Sequence, residues 1–430
     1  IFNKENFRHY LTYFNIDSLY KLQLYMTVIF SSIIILAAFL RILLSYLTAR
    51  ISYLTGSSIA VKLYKNILYR SYEFHINEEK SAIAGTIVNK TQLVSQSFIL
   101  SILSLISGLF ISLLILSALF LINTQVALII YGTLGVSYLI VARIFSVIMS
   151  NNGKIIAFEV NNAFAQLRDG LGSITDIIIS RTQNIVIKPF KNTIYKLGIA
   201  HASNEFLAIT PRFFIEGLGL IVIAVTAFLF VGGNGGISVS LFGFFGGLAL
   251  GVQRALPVLQ QMYYSWSNIL KSSQSLDDIL IYLESIEQNY KNTNKVIEPI
   301  SFENVFKINN LSYNYNKSQN QHSLKNINIS IKKGDRVGII GPSGSGKSTL
   351  INIIMGLLEP TSGYITIDDV EITKNNNFKM QSIIGQVPQS IFLTNESIEN
   401  NIAFGIPKEL IDQDLLNKVI TESMLNDYID

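Results

Sequence analysis

Residues 341–349 read Gly-Pro-Ser-Gly-Ser-Gly-Lys-Ser-Thr and fit the spacing G-x-x-x-x-G-K-[ST], which makes a phosphate-binding loop. Each residue type has a physical task there. Gly341, Gly344 and Gly346 let successive backbone N–H groups turn into one concavity, with Pro342, Ser343 and Ser345 at the positions between them. A helix that starts at the loop adds a dipole favourable to negative charge. Lys347 supplies a full positive charge for the β- and γ-phosphates, the Ser348 hydroxyl is placed to coordinate Mg²⁺, and Thr349 closes the motif. The ligands expected are ATP and Mg²⁺.

Such a loop works only between a strand and a helix. Residues 336–340, Arg-Val-Gly-Ile-Ile, are an apolar run of strand type, and residues 350–358 continue without a breaker as a helix would. Around this unit, strand-like runs at 311–315, 327–331 and 364–367 alternate with helical ones, so residues 302–430 read as an α/β P-loop NTPase domain. The run Ile-Thr-Ile-Asp-Asp at 365–369 imitates a strand ending in a magnesium-binding acid. It lies too close behind the loop for that and reads as a hairpin strand.

Upstream the chain changes character. Of its 430 residues 49% are hydrophobic and only 14% charged, with a mean hydropathy of +0.39, a composition that places much of it in a bilayer. Apolar stretches near the ~20 residues of a spanning helix cover about 24–48, 97–122, 126–149, 213–232 and 238–259, after a polar N-terminal loop at 1–21. The links at 123–125 and 233–236 are short and carry no Lys or Arg. The other two are long and basic (Lys62, Lys65, Arg70 and Lys80 in the first, Lys154, Arg168, Lys188 and Lys196 in the second), and the positive-inside bias puts both in the cytoplasm. The phosphate-binding loop then also faces the cytoplasm, in an integral protein of the plasma (inner) membrane. Five spans are an odd number and the first residue is Ile1, so a further span upstream is expected.

Loops of that length without structure are unusual, so the membrane helices are expected to run on into the cytosol and turn back through short crossing elements. Apolar residues at helical spacing continue through 268–289, and 291–299 then loses periodicity and ends in Glu-Pro. The resulting division is a transmembrane domain at 1–267, a helical extension and linker at 268–301, and the nucleotide domain at 302–430. The absence of cysteine and the scattering of the four histidines give no metal-ligand spacing. A net charge of +4 without a basic stripe gives no reason to expect nucleic acid.

The succession of apolar spans, the run Leu-Ser-Tyr-Asn-Tyr at 311–315, the phosphate loop, Ile-Gly-Gln-Val-Pro-Gln at 384–389 and Asn-Asn-Ile-Ala-Phe-Gly at 400–405 resembles the ATP-binding-cassette (ABC) exporters over nearly the whole chain. The resemblance implies an α-helical transmembrane bundle followed by the nucleotide domain. It also implies a dimer, a homodimer or a heterodimer with a second ABC subunit, with six spans per subunit and cytoplasmic loops ending in coupling helices. By the same resemblance Tyr315 matches the aromatic that stacks on adenine, with Tyr313 as the alternative. Gln389 matches the glutamine that contacts Mg²⁺ and links the ATP site to the membrane domain, whereas Gln386 lies three residues early. The Leu-Ser-Gly-Gly-Gln signature, the Walker B acid, the catalytic glutamate and the switch histidine of that family are not found before Asp430. The nucleotide domain is therefore read as incomplete at its C-terminal end, with no catalytic base to name. A full-length dimer would be an ATPase and translocase, while this stretch alone would bind ATP without hydrolysing it.

Charges inside spans are costly and informative. Arg41 lies mid-span, Arg254 lies one turn past Gly251, and Arg212 follows Pro211 at the start of a span, where an i,i+4 ion pair with Glu216 is the bland alternative. Arginines lining a cavity suit a phosphate or pyrophosphate, which a guanidinium grips through two parallel bonds. Residues 202–219 also resemble the flippases of lipid-linked oligosaccharides. The expectation is thus an ATP-driven flippase or exporter of an anionic lipid-linked glycan, in contact with membrane lipid. Peptide or drug export competes within the same class, and a regulatory or channel-like membrane protein with a degenerate ATP site competes from another.

Overall fold

The computed structural model describes residues 19–122, 124–232, 239–283, 298–315 and 323–429. The polar N-terminal stretch to residue 18, the short links at 123 and 233–238, the last turn expected at 284–289 and most of the linker at 291–299 lie outside the described residues. The chain divides into two compact units on either side of Asn294.

The first unit is helical. Helix α1 (Leu19–Leu68) turns through α2 (Tyr72–Asn77), a single short helix whose first turn is closed by Ser71 Oγ accepting from the Phe74 N–H. The next element is one continuous helix with two widened stretches: α3 (Lys80–Gly85), a π-helical turn at Thr86–Lys90, α4 (Thr91–Leu93), a second π turn at Val94–Ile99, and α5 (Leu100–Ile122). Helix α6 (Thr124–Gly172) runs to the short α7 (Ile174–Ser180), which ends at Arg181 in the left-handed conformation (φ 54°). Helices α8 (Gln183–Gly232) and α9 (Val239–Leu283) complete the unit.

The long loops are thus helical extensions. At ~1.5 Å per residue the 50 residues of α1 span ~75 Å, more than twice the ~30 Å of a hydrocarbon core. Among the described residues three helices are long and apolar enough to cross a membrane, Tyr20–Leu68, Ala82–Leu121 and Ala127–Gly172. The other two apolar runs fall on α8 and α9. Leu119, Leu134, Tyr138, Ile215, Ala255 and Tyr263 form the main core, where α5, α6, α8 and α9 meet, and Leu63, Val94 and Ile279 bring α1, the second π turn and α9 together. None of the apolar window of α1 is buried against the other described residues.

The second unit holds a four-stranded antiparallel sheet in the order β2-β1-β3-β4, made of β1 (Val305–Tyr313), β2 (Leu324–Lys332), β3 (Ser362–Ile367) and β4 (Val370–Ile372). The β3–β4 hairpin is the one expected at 364–369, turning through Asp368 and Asp369 at φ 45° and 67°, the left-handed pair that a tight hairpin requires. Helix α10 (Lys347–Ile354) packs on the sheet through Leu350 and Ile353, against Ile308, Leu311 and Tyr313 of β1, which fixes where the phosphate loop stands.

Two local expectations need correction. The helix expected through residue 358 ends at Ile354, because Gly356 takes φ 65° and a capping motif closes the end, with the Leu357 N–H on Asn352 O and the Gly356 N–H on Ile353 O, both at 2.9 Å. Residues 336–340 are extended but sit in no ladder, and Ile340 is 95% exposed. A strand is defined by a neighbour that takes its N–H and C=O groups, and no described residue does so here. Beyond the sheet, α11 (Asn377–Gln381), α12 (Ile398–Ile402), α13 (Gln413–Glu422) and α14 (Asn426–Ile429) follow, with Ser397 and Asp412 as side-chain N-caps of α12 and α13.

Candidate nucleotide site and helical cavities

The phosphate loop is built by backbone conformations that only glycine adopts easily. Gly344 and Gly346 stand at φ 80° and 90°. At Gly346 a Cβ would lie 2.7 Å from Leu324 Cδ2 and 2.8 Å from Ser323 O, so β2 presses directly on the start of α10. The first bond of that helix joins the Leu350 N–H to Gly346 O at 2.9 Å, which leaves the N–H groups of Lys347, Ser348 and Thr349 without acceptors inside the helix. Gly341, Pro342, Ser343, Gly344 and Ser345 are all exposed. Lys347 Nζ donates to Gly341 O and Pro342 O, each at 2.8 Å, and so its ammonium is held across the loop. Unpaired N–H groups, a fixed ammonium and a helix N-terminus on one concave loop complement a polyphosphate.

Tyr315 and Tyr313 are separated by their surroundings. Tyr313 is 4% exposed in the sheet core, whereas Tyr315 is 41% exposed, packs edge-on against Tyr313 at 4.9 Å and is hydrogen-bonded through its hydroxyl to Thr349 Oγ1 at 3.1 Å. The structure therefore brings Tyr315 to the loop and takes Tyr313 away from it. The 34-residue separation of Tyr315 and Thr349 gives no sequence signal for this tether. Ser348 is exposed and offers its hydroxyl to a cation. Gln389 is exposed at a bend after Pro388 and makes no hydrogen bond among the described residues, so nothing brings it to Ser348. The residues present fit a nucleotide phosphate well and Mg²⁺ through one oxygen donor, Ser348.

In the helical unit, Arg41 on α1 and Arg254 on α9 are exposed and line neither cavity described here. Arg212 does line one, a cavity of ≈ 260 Å³ shared with Tyr138, Pro257, Gln260 and Tyr263, and it makes no ion pair with Glu216. A second cavity of ≈ 970 Å³ opens between the two π turns, α6, α8 and α9, and shares Gln261 and Tyr264 with the first. Sequence reading missed it. Its one advance trace is the hydroxyl series Thr86, Thr91 and Ser95, whose side chains bond back to Ala82 O, Ile87 O and Thr91 O, the pattern that loosens a helical ladder.

Comparison with known proteins agrees with this geometry. Residues 324–429 match the family model of the ABC transporter. Over 124 residues the chain is 37% identical to the energy-coupling factor transporter ATP-binding protein EcfA1 of Streptococcus agalactiae, covering 26% of this chain and 44% of that protein. The protein of the same name from Mycoplasmopsis synoviae is 35% identical over 121 residues, 27% of this chain and 45% of its own. The chain thus spans less than half the length of these relatives. Among solved structures, a bacterial Atm1-family ABC exporter with ATP bound superposes with a TM-score of 0.71 at 15% identity, over 88% of this chain and 65% of that one. The chain thus has the ABC-exporter fold, and its stretch similar to the ABC transporter family holds the phosphate loop.

Proposed function

We propose that the chain is a subunit of an ATP-driven exporter that flips an anionic, lipid-linked glycan, acting as a dimer in the plasma (inner) membrane with its nucleotide domain in the cytoplasm. The observation that carries the ATP-driven part is the loop at 341–349, with Lys347 held to the Gly341 and Pro342 carbonyls and Tyr315 tethered beside it. Lys347 and the loop N–H groups hold the phosphates, the exposed Tyr315 ring takes the adenine, and Ser348 holds Mg²⁺. Bound ATP with Mg²⁺ supplies the free energy that drives the cycle. Support for an anionic cargo comes from Arg212, a guanidinium on the wall of a cavity with no acid paired to it among the described residues. Arg41 and Arg254 act from exposed helix faces, where a second subunit would close the path.

The test is steady-state ATPase of the full-length dimer in nanodiscs. Losing the Lys347 contacts, each a charge-assisted bond of ~1.5–3 kcal/mol, should lower turnover by roughly 10–100-fold in Lys347→Ala. Wild-type turnover in that variant would remove the site from the mechanism.

A further inference from the structure

The ≈ 970 Å³ cavity of the helical unit has a chemistry distinct from that of the arginines. Both lysines of its wall and two of its three glutamates are already in ion pairs. Lys90 pairs with Asp278 at 2.7 Å, Lys271 with Glu205 at 3.4 Å and Glu79 with Arg168, while Glu78 accepts from the Tyr282 hydroxyl. What the wall leaves over is serine hydroxyls, the Tyr264 hydroxyl, the His201 imidazole and, most of all, amides. Asn89, Gln96, Asn161, Gln261 and Asn268 all line the cavity, and none makes a side-chain hydrogen bond to protein among the described residues. Asn89 and Gln96 sit on the two π turns, so the widened helix is the element that presents them.

A sixth amide is committed on one side only. Asn204 is 2% exposed, its Oδ1 accepts from Asn152 Nδ2 at 3.0 Å, and its Nδ2 has no partner although it belongs to the cavity wall. Leaving such a buried donor unmade is costly, so the site as built calls for an acceptor from a ligand. Amides both donate and accept, as hydroxyl groups do, whereas an anionic ligand would find both lysines already paired and an apolar one would strand Asn204. The rings of Phe164 and Tyr264 add flat apolar surface to the same wall.

We propose that this cavity is a binding site for a neutral saccharide, the uncharged head of the cargo, with the amides of Asn89, Gln96, Asn161, Asn204 and Gln261 reading its hydroxyls. The proposal rests on the glycan reading of the preceding section and assigns the site that would enforce it. Position supports it. On α6, α8 and α9 alike, the residues of the arginine cavity (Tyr138, Arg212, Pro257) lie nearer the apolar spans than those of the large cavity (Asn161, Asn204, Asn268). An amphiphile with its phosphate at Arg212 would thus place a head group past Gln261 and Tyr264 among the amides.

The experiment compares two probes on the full-length dimer in nanodiscs, a polyprenyl pyrophosphate and the same lipid carrying a neutral disaccharide. The glycosylated probe should bind at least about tenfold tighter to wild type, because its hydroxyls add polar contacts that the bare lipid lacks. Asn204→Leu, and independently the exposed pair Asn89→Ala with Asn161→Ala, should reduce that ratio to about threefold or less while the unglycosylated lipid binds as before. Equal binding of the two lipids by wild type, or a ratio untouched in every variant, would overturn the saccharide site and leave the anionic-lipid reading standing. Failure of both lipids to bind would defeat the cargo reading itself and this proposal with it. Displacement of neither lipid by a free disaccharide but of both by a neutral end-blocked peptide would make the cavity a peptide site instead.

Discussion

Tyr313 puts its ring into the sheet core and Tyr315, two residues on, keeps its ring in the open beside the phosphate loop, anchored to Thr349. Tyr315→Ala should weaken ATP binding by ~1–3 kcal/mol, the range for losing an aromatic platform under a base. Tyr315→Phe keeps the ring and should lose only the ~0.5–1.5 kcal/mol of the tether. Tyr313→Ala should instead lower thermal stability by ~3–5 kcal/mol as a large buried ring is removed. Nucleotide titration beside thermal unfolding separates the three, and an unchanged affinity in Tyr315→Ala would move the adenine contact elsewhere. Asp368 offers a second test. Its carboxylate accepts from the N–H groups of Glu303, Asn304 and Val305, which holds its pKa below the ordinary 3.8. A lowered folded-state pKa means that the stabilisation is complete above the ordinary value and is lost as pH falls through the folded one. The melting-temperature advantage of wild type over Asp368→Asn should accordingly hold from neutral pH down to about 4 and shrink below it; a gap that widens in acid would refute this role. The loop glycines, Lys347 and Ser348 were legible in the sequence because their spacing is local. The tether to Thr349 and the three-fold grip of Asp368 were not, since each joins segments 34 or more residues apart.

The end of α9 is held by the first hairpin of the chain. Arg70 donates to Ile281 O at 3.2 Å and Tyr282 O at 3.3 Å, its guanidinium lies 4.5 Å over Phe74 and 5.5 Å over Tyr282, and Asn66 Nδ2 reaches Leu283 O at 3.4 Å. These side chains give the carbonyls of residues 281–283 partners from the start of the chain. Arg70→Ala should destabilise the turn around Ile281 by ~1–3 kcal/mol, and Arg70→Lys should restore little because it lacks the planar fork. Hydrogen exchange of the amides around Ile281 reads this directly, and protection equal to wild type in Arg70→Ala would show that the turn stands without the clamp. Long helices and short crossing elements were legible from apolar periodicity and loop length. The π turns were not, because five residues are too few for hydropathy to distinguish a wider turn from an ordinary one. The strand expected at 336–340 failed for a related reason, since an apolar run reports a tendency to be covered and a ladder requires a partner.

At the scale of the molecule, a membrane protein of ABC-exporter fold was readable because hydropathy, basic loops and the order of the nucleotide motifs agree with one another. The cavities were not readable, because they are made by residues from up to five elements. The arginines belong to this scale too. Arg254→Ala, and more strongly the pair Arg41→Ala with Arg254→Ala, should abolish flipping of a pyrophosphate-linked lipid while the dimer still inserts and hydrolyses ATP, and lysine should rescue only in part. Wild-type flipping in these variants would reduce the arginines to structural roles. The central claim is that the loop at 341–349 powers movement of a lipid across the bilayer. Its most direct test is ATP-dependent translocation of a fluorescent polyprenyl pyrophosphate in vesicles containing the full-length dimer. Translocation that requires ATP and Mg²⁺ and disappears in Lys347→Ala is the predicted result, and translocation at the same rate without ATP, or with Lys347 replaced, would contradict it.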